Sequence, residues 1–213
     1  MCMSKSLNRL RKQEYLTQFD KLCDNISDTV VYPPMPAREN PLMTIDVIRE
    51  TRIRMMLASY CKYGPVSANY LQNNLMLPLQ DTMTRVKKYE RTHNIEFLLD
   101  AVNYLMLAYW QYTNETLVFG DSEVQSYTAA LCIATECHNK LSAQVMYLLS
   151  QFADTEDLCW LGVIAVFLCN EMRYPRFADA FYLYTQDTDC ITAGTYVNEL
   201  EKLSTAQFSE SWC

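Results

Sequence analysis

Glycine is nearly absent from this chain: it holds four in 213 residues, where average usage of about 7% would supply about fifteen. Tight hairpins, β-bulges and phosphate-cradling loops all draw on glycine, because only it enters the left-handed region of backbone space without steric cost. A chain so short of it is expected to build helices joined by short polar links, and to lack a Gly-rich phosphate loop. The β signals are correspondingly few, TVVY at 29–32 and TLVF at 116–119. The expected fold is all-α, a single-domain bundle of about eight or nine helices.

Half of the residues are apolar and a fifth are charged, the balance of a packed domain. The longest apolar run, LCWLGVIAVFLC at 158–169, falls short of the roughly 18 to 20 residues that cross a bilayer and suits a buried core helix. The N-terminus, MCMSKSLNRLRKQEY, carries charge without an apolar stretch behind it, so no signal peptide and no membrane role are expected. The nine cysteines are odd in number and scattered, with no C-x-x-C, and most sit in apolar runs. Reduced thiols in a cytoplasmic protein are the expectation, rather than a disulfide framework. Charge divides along the chain: residues 1–92 hold 14 basic against 9 acidic side chains, and residues 93–213 hold 4 against 16. Such a division can steer different partners to different faces, or it can reflect solvated helix faces of unlike sign.

A helix is expected over 5–23, followed by a Pro-rich linker or surface arm over 24–43, where four prolines interrupt helical bonding. The bundle then occupies 44–213. Thr44 is placed as the N-cap of a helix running to about residue 63. Residues 94–112, apolar on nearly all sides, belong in the middle of a bundle. A long helical stretch runs from Ser122 to about Phe152, with a break near Asn139. Asp154 is placed as the cap of the core helix through Glu171, with Glu156 and Asp157 in its first turn. Pro175 separates RFADAFYLYTQ, and a last helix is expected over 193–203.

Residues 56–93 divide into MLASYCKYG, PVSANYLQNNLML and PLQDTMTRVKKYERTH, with 60–92 as the unit of interest. This resembles the helix-turn-helix of small winged-helix and repressor-type regulators. Leu71 takes the place of the leucine of the short helix before the turn, Leu75 and Leu77 are the turn hydrophobes, and Pro78 pre-sets the first turn of a recognition helix. Leu79, Met83, Val86 and Tyr89 give an inward stripe. Gln80, Asp81, Thr84, Arg85, Lys87, Lys88 and Arg91 are left outward, as donors on a groove-entering helix would be. The helical wing that follows, NIEFLLDAVNYL, departs from the regulators' hairpin. The ladder from LP through RVKKYERT and EFLLDAVNYLML is also similar in texture to uncharacterised helical proteins of phages and prophages, which implies a virus-encoded protein acting on host machinery.

Glu96, Asp100 and Asn103 share a face of their helix, within about 60° of arc. All-α Mg²⁺-dependent nucleotide hydrolases use paired carboxylates in this way, but at a spacing of three and with a matching pair on a facing helix. A polar stripe marking the solvent edge of a central helix is the preferred reading. Cys132 and Cys137 lie about 140° apart on a continuous helix and cannot chelate one zinc ion. His93 and His138 sit beside polar helix ends, where exposed histidines are ordinary. No catalytic, cofactor-binding or metal-binding residues are therefore assigned, and no cofactor is expected.

The fifteen tyrosines suit bundle edges and, secondarily, interfaces. The expectation is a non-enzymatic binding protein with a macromolecular partner, protein before DNA, a homodimer being left open. The candidate contact residues are Gln80, Thr84, Arg85, Lys87, Lys88 and Arg91. A DNA-binding regulator and a Mg²⁺-dependent nucleotide hydrolase are the two alternatives.

Overall fold

The computed structural model describes residues 17–34, 38–40, 43–63, 76–112, 121–177 and 180. Among them are seven helices and no strand: α1 over 17–29, α2 (Ile45–Tyr63), α3 (Met76–Thr92), α4 (Glu96–Tyr112), α5 (Asp121–Cys137), α6 (Leu141–Thr155) and α7 (Cys159–Arg173). No described helix is long and apolar enough to cross a membrane. Residues 64–75, which hold most of the expected helix over 65–77, and the expected helix over 193–203 and the TLVF segment lie outside the described residues. Leu77, expected in the turn before the recognition helix, lies instead with Pro78 in the first turn of α3, which begins at Met76.

Two helices form the centre. Every residue of α7 except Asn170 and Arg173 is buried, which its unbroken apolar run dictates. Along α4, Leu98, Leu99, Val102, Leu105 and Ala108 have no exposed surface. α4 packs on α3, α7 and α2, while α6 packs on α3, α5 and α7. The α3 stripe of Leu79, Met83, Val86 and Tyr89 is buried, as its helical spacing predicts.

The shortage of glycine shows at the corners. α3 ends on His93, at φ 59°, whose N–H donates to the Tyr89 carbonyl at 2.7 Å. α6 ends on Glu156, at φ 54°, whose N–H donates to the Phe152 carbonyl at 2.8 Å. Both adopt the left-handed conformation that glycine usually supplies at a helix C-terminus. His93 is followed at once by Asn94, whose side-chain oxygen accepts from the Glu96 N–H at 3.0 Å and starts α4. α3 and α4 thus form a tight helical hairpin.

Several boundaries and placements differ from the sequence reading. α1 continues through residue 29 instead of ending at 23, because Ile26 and Val30 extend the register of Leu22 and are buried. The 24–43 segment is likewise not a surface arm throughout: Asn40 and Met43 are buried, and the Asn40 N–H donates to the Arg173 carbonyl at 2.6 Å. Residues 30–34, including most of TVVY, form no strand. Asp154 does not cap α7, since α6 runs through Thr155; the capping carboxylate is Asp157, which accepts from the Cys159 N–H at 2.9 Å. Glu156 and Asp157 accordingly precede the helix instead of lying in its first turn. The break near Asn139 and the cap at Thr44, which accepts from the Val47 N–H at 3.4 Å, stand where the sequence places them.

Candidate functional site

At about 100° per residue, Gln80, Thr84, Lys87 and Arg91 fall within about 60° of arc on α3. All four are exposed. They form a single row about 16 Å long, at 1.5 Å rise per residue. The Thr84 hydroxyl is turned back onto the Gln80 carbonyl, donating to it at 3.0 Å.

Arg85 and Lys88 do not belong to this row. They lie on the flank of α3 that meets α4, and this corrects their placement as outward residues. The Arg85 Nε stands 3.4 Å from the Asp100 carboxylate, with 28% and 25% of the two side chains exposed. Its guanidinium lies 5.8 Å from the centre of the Phe97 ring and 5.9 Å from that of Tyr104. The Lys88 ammonium is 5.3 Å from the Phe97 ring. These are cation–π distances. Phe97, Asp100 and Tyr104 are spaced at i, i+3 and i+7, and the helix presents them together to α3.

Burial raises the Asp100 carboxyl to about 6; Arg85 opposes the rise and the neighbouring Glu96 carboxylate adds to it. Tyr104 is also held above its ordinary range by burial, against the influence of Arg85. The sequence reading of Glu96, Asp100 and Asn103 as a solvent edge does not hold. Asp100 is engaged with Arg85, and Asn103 is buried. The Asn103 oxygen accepts from the Arg52 Nε at 3.0 Å, and its amide nitrogen donates to the Arg52 carbonyl at 3.3 Å. Arg52 also contacts the Met106 sulfur at 3.3 Å and lies 5.8 Å from the Phe19 ring centre. Nothing local to α4 signals this pairing, because the partner is 51 residues away in sequence.

On its far flank, α3 touches α6 and α7. Glu90 accepts from the Ser142 N–H at 2.9 Å. The Tyr89 hydroxyl donates to the fully buried Glu171 carboxylate at 3.0 Å, which also takes the Arg176 Nε at 3.0 Å. Arg176 reaches on to the Gln144 oxygen at 2.9 Å, and Gln144 donates to the His138 carbonyl at 2.7 Å. His93 is not an exposed helix-end histidine: it is half-buried, and its ring stacks on Phe177 with centroids 3.8 Å apart and planes at 9°.

A small cavity among the described residues offers little room for chemistry. Asp20, Cys23, Arg49, Arg52 and Cys169 line a cavity of about 20 Å³ between α1, α2 and α7, space for a single water at most. Burial pushes both thiols up, Cys169 to about 11, which leaves them poor nucleophiles. Cys23, Cys132, Cys137, Cys159 and Cys169 are free thiols. Among the described residues no three His, Cys, Asp or Glu side chains gather as a metal site. Compared with known protein families, with curated proteins and with solved structures, the chain matches none of them.

Proposed function

We propose that this protein works by contact, without catalysis, and that the row of Gln80, Thr84, Lys87 and Arg91 on α3 docks on an acidic protein surface. The observation that carries this reading is the division of the α3 cations. Two are exposed on the row, and two are turned onto Phe97, Asp100 and Tyr104. Duplex DNA is held largely by phosphate neutralisation, one cation per phosphate. An edge with two exposed cations, on a chain of net charge −7, is a poor match for that demand. It suits an acidic patch met over a short row, where unlike charge speeds encounter and fixes register. The resemblance to phage-encoded helical proteins supports a target in host machinery, and a cytoplasmic setting accords with the scattered cysteines.

The row of donors is also what a groove-entering helix would present, so the deciding experiment addresses both partners. A photo-crosslinker at position 84 should capture a protein in the native host, with capture slowed by Lys87→Gln together with Arg91→Gln. Duplex DNA should bind the purified protein only at about 10⁻⁴ to 10⁻⁶ M and without sequence preference. A sequence-specific nanomolar DNA complex, weakening steeply with salt, would overturn this choice and make the protein a regulator.

A further inference from the structure

Among the described residues, the large apolar side chains left open to water are Val31, Val47, Ile53, Ile133 and Met146, and α2 carries two of them. Its pattern is also inverted. Arg52 is 6% exposed and holds the Asn103 side chain inside the bundle, while the next residue, Ile53, is 51% exposed. At about 100° per residue, Asp46, Val47, Glu50, Ile53 and Arg54 fall within about 120° of arc, opposite Ile48, Arg52 and Met55. All five are exposed. Glu50 and Arg54 lie one turn apart, and the Arg54 guanidinium donates to the Glu50 carboxylate. We propose that this face is the contact through which two copies of the chain associate, α2 lying antiparallel on α2 about a two-fold axis.

The order of charges on this face selects a second copy as the occupant. A two-fold contact sets one patch against itself, so each group must find its complement on the same surface. With the axis level with residue 52, Glu50 of each copy stands opposite Arg54 of the other, and the ion pair is made twice. The two Ile53 side chains then differ by about 3 Å in height, at 1.5 Å rise per residue, and close on one another at the centre. Val47 extends the apolar strip on either side. Exchanging the pair within each copy for pairs between copies costs little, since an exposed pair one turn apart contributes little. Removing Ile53 and Val47 from water favours the exchange. The α3 row cannot pair in this way, because Lys87 and Arg91 would meet their own like charges. Two helix faces make a small contact, so the dimer is a weak one, forming at about 50 to 500 µM.

Sedimentation of the full chain tests this, with a reductant present so that cysteines cannot join copies. Between about 5 and 500 µM the wild type should pass from monomer to dimer. Ile53→Asp should keep it monomeric. Glu50→Arg sets like charges across the axis, as does Arg54→Glu, and each should weaken the dimer at least about ten-fold. The two single variants mixed together, and the double exchange Glu50→Arg/Arg54→Glu, bring unlike charges back into register. Both should return to within about three-fold of the wild type. The substituted side chains are all exposed, so the variants keep the fold, which circular dichroism checks. Lys87→Gln with Arg91→Gln should leave the dimer unchanged, which separates this contact from the docking row of α3. A chain that is monomeric at every concentration overturns the inference. So does a dimer that withstands Ile53→Asp, or one that the charge reversals weaken and the double exchange does not restore. A dimer lost in Lys87→Gln/Arg91→Gln and kept in Ile53→Asp places the contact on α3 and overturns it as well.

Discussion

The Glu90 carboxylate on α3 accepts a hydrogen bond from the backbone N–H of Ser142 at 2.9 Å, so α6 is started by a side chain from a helix 52 residues earlier. Lys140, at the N-cap position of α6, makes no side-chain cap. The first N–H groups of a helix lack internal partners, and a carboxylate there also meets the favourable end of the helix dipole. Glu90→Ala should lower stability by about 1 kcal/mol in urea unfolding, and Glu90→Gln, which keeps an acceptor, by about half of that. Equal stability in all three proteins would show that water caps α6 just as well.

Gly162 marks the crossing of α1 and α7. A Cβ built there would stand 2.5 Å from Ile26 Cδ1 and 3.0 Å from Leu22. Alanine is the better helix former by about 1 kcal/mol, yet its Cβ would force the fully buried Ile26 Cδ1 to shift within the core. Gly162→Ala should therefore destabilise by about 1 to 3 kcal/mol. Adding Ile26→Val, which removes the clashing methyl, should recover part of that loss. A double mutant that is only the sum of its parts would show that the clash lies with Leu22 instead.

How far the sequence foretold this arrangement depends on the range over which each choice is decided. The α3 stripe and the buried α7 follow from spacing alone, since helical period and apolar run length are local properties. The end of α1 was obscured by the polar DNIS stretch, which local preference assigns to a linker. Ile26 and Val30 overrule it because Gly162 lets α1 come close. Arg85 illustrates a second limit. Its angle on α3 is readable, but whether that angle faces water or a neighbour depends on where α4 lies. Asn103 fails for the same reason, as its partner Arg52 comes from a helix whose position no local pattern shows.

The buried Glu171 carboxylate joins α7 to α3 through Tyr89 and to the following segment through Arg176. Tyr89→Phe removes one hydrogen bond to a charged group and should cost about 1.5 to 3 kcal/mol. Glu171→Ala leaves a cavity and deprives Arg176 of its partner, and should cost about 3 to 5 kcal/mol. Glu171→Gln should fall between the wild type and Glu171→Ala, since it keeps an acceptor for Tyr89. Thermal unfolding would rank the three. Tyr89→Phe as harmful as Glu171→Ala would mean that the tyrosine hydroxyl, rather than the ion pair, holds this junction.

The two kinds of α3 cation should separate in stability measurements. Lys87→Gln and Arg91→Gln change exposed side chains and should each stay within about 0.5 kcal/mol of wild type. Arg85→Gln removes the ion pair with Asp100 and the contacts with Phe97 and Tyr104. It should destabilise by about 1 kcal/mol at pH 7.5 and by less at pH 5, where Asp100 holds a proton. Equal and negligible effects at all three positions would return Arg85 to the exposed row.

Asp100 should also leave a mark on stability as a function of pH. Its carboxyl is raised from 3.8 to about 6 in the folded protein, chiefly by burial. The folded state then binds the proton more tightly than the unfolded chain. The stabilising contribution is fully present below about 4 and is lost as pH rises through about 6, because stability falls wherever the native state carries more protons. At 1.36 kcal/mol per unit of pKa difference the limit is about 3 kcal/mol, and the quarter of the side chain open to water reduces this to about 1 to 2 kcal/mol. Asp100→Asn stays neutral at every pH and should escape the loss. The mutant should therefore match wild type near pH 4 and exceed it by about 1 to 2 kcal/mol at pH 7.5, in urea unfolding followed by circular dichroism. A difference that stays constant from pH 4 to 8 would mean that Arg85 compensates the carboxylate fully, and that Asp100 titrates as an ordinary aspartate.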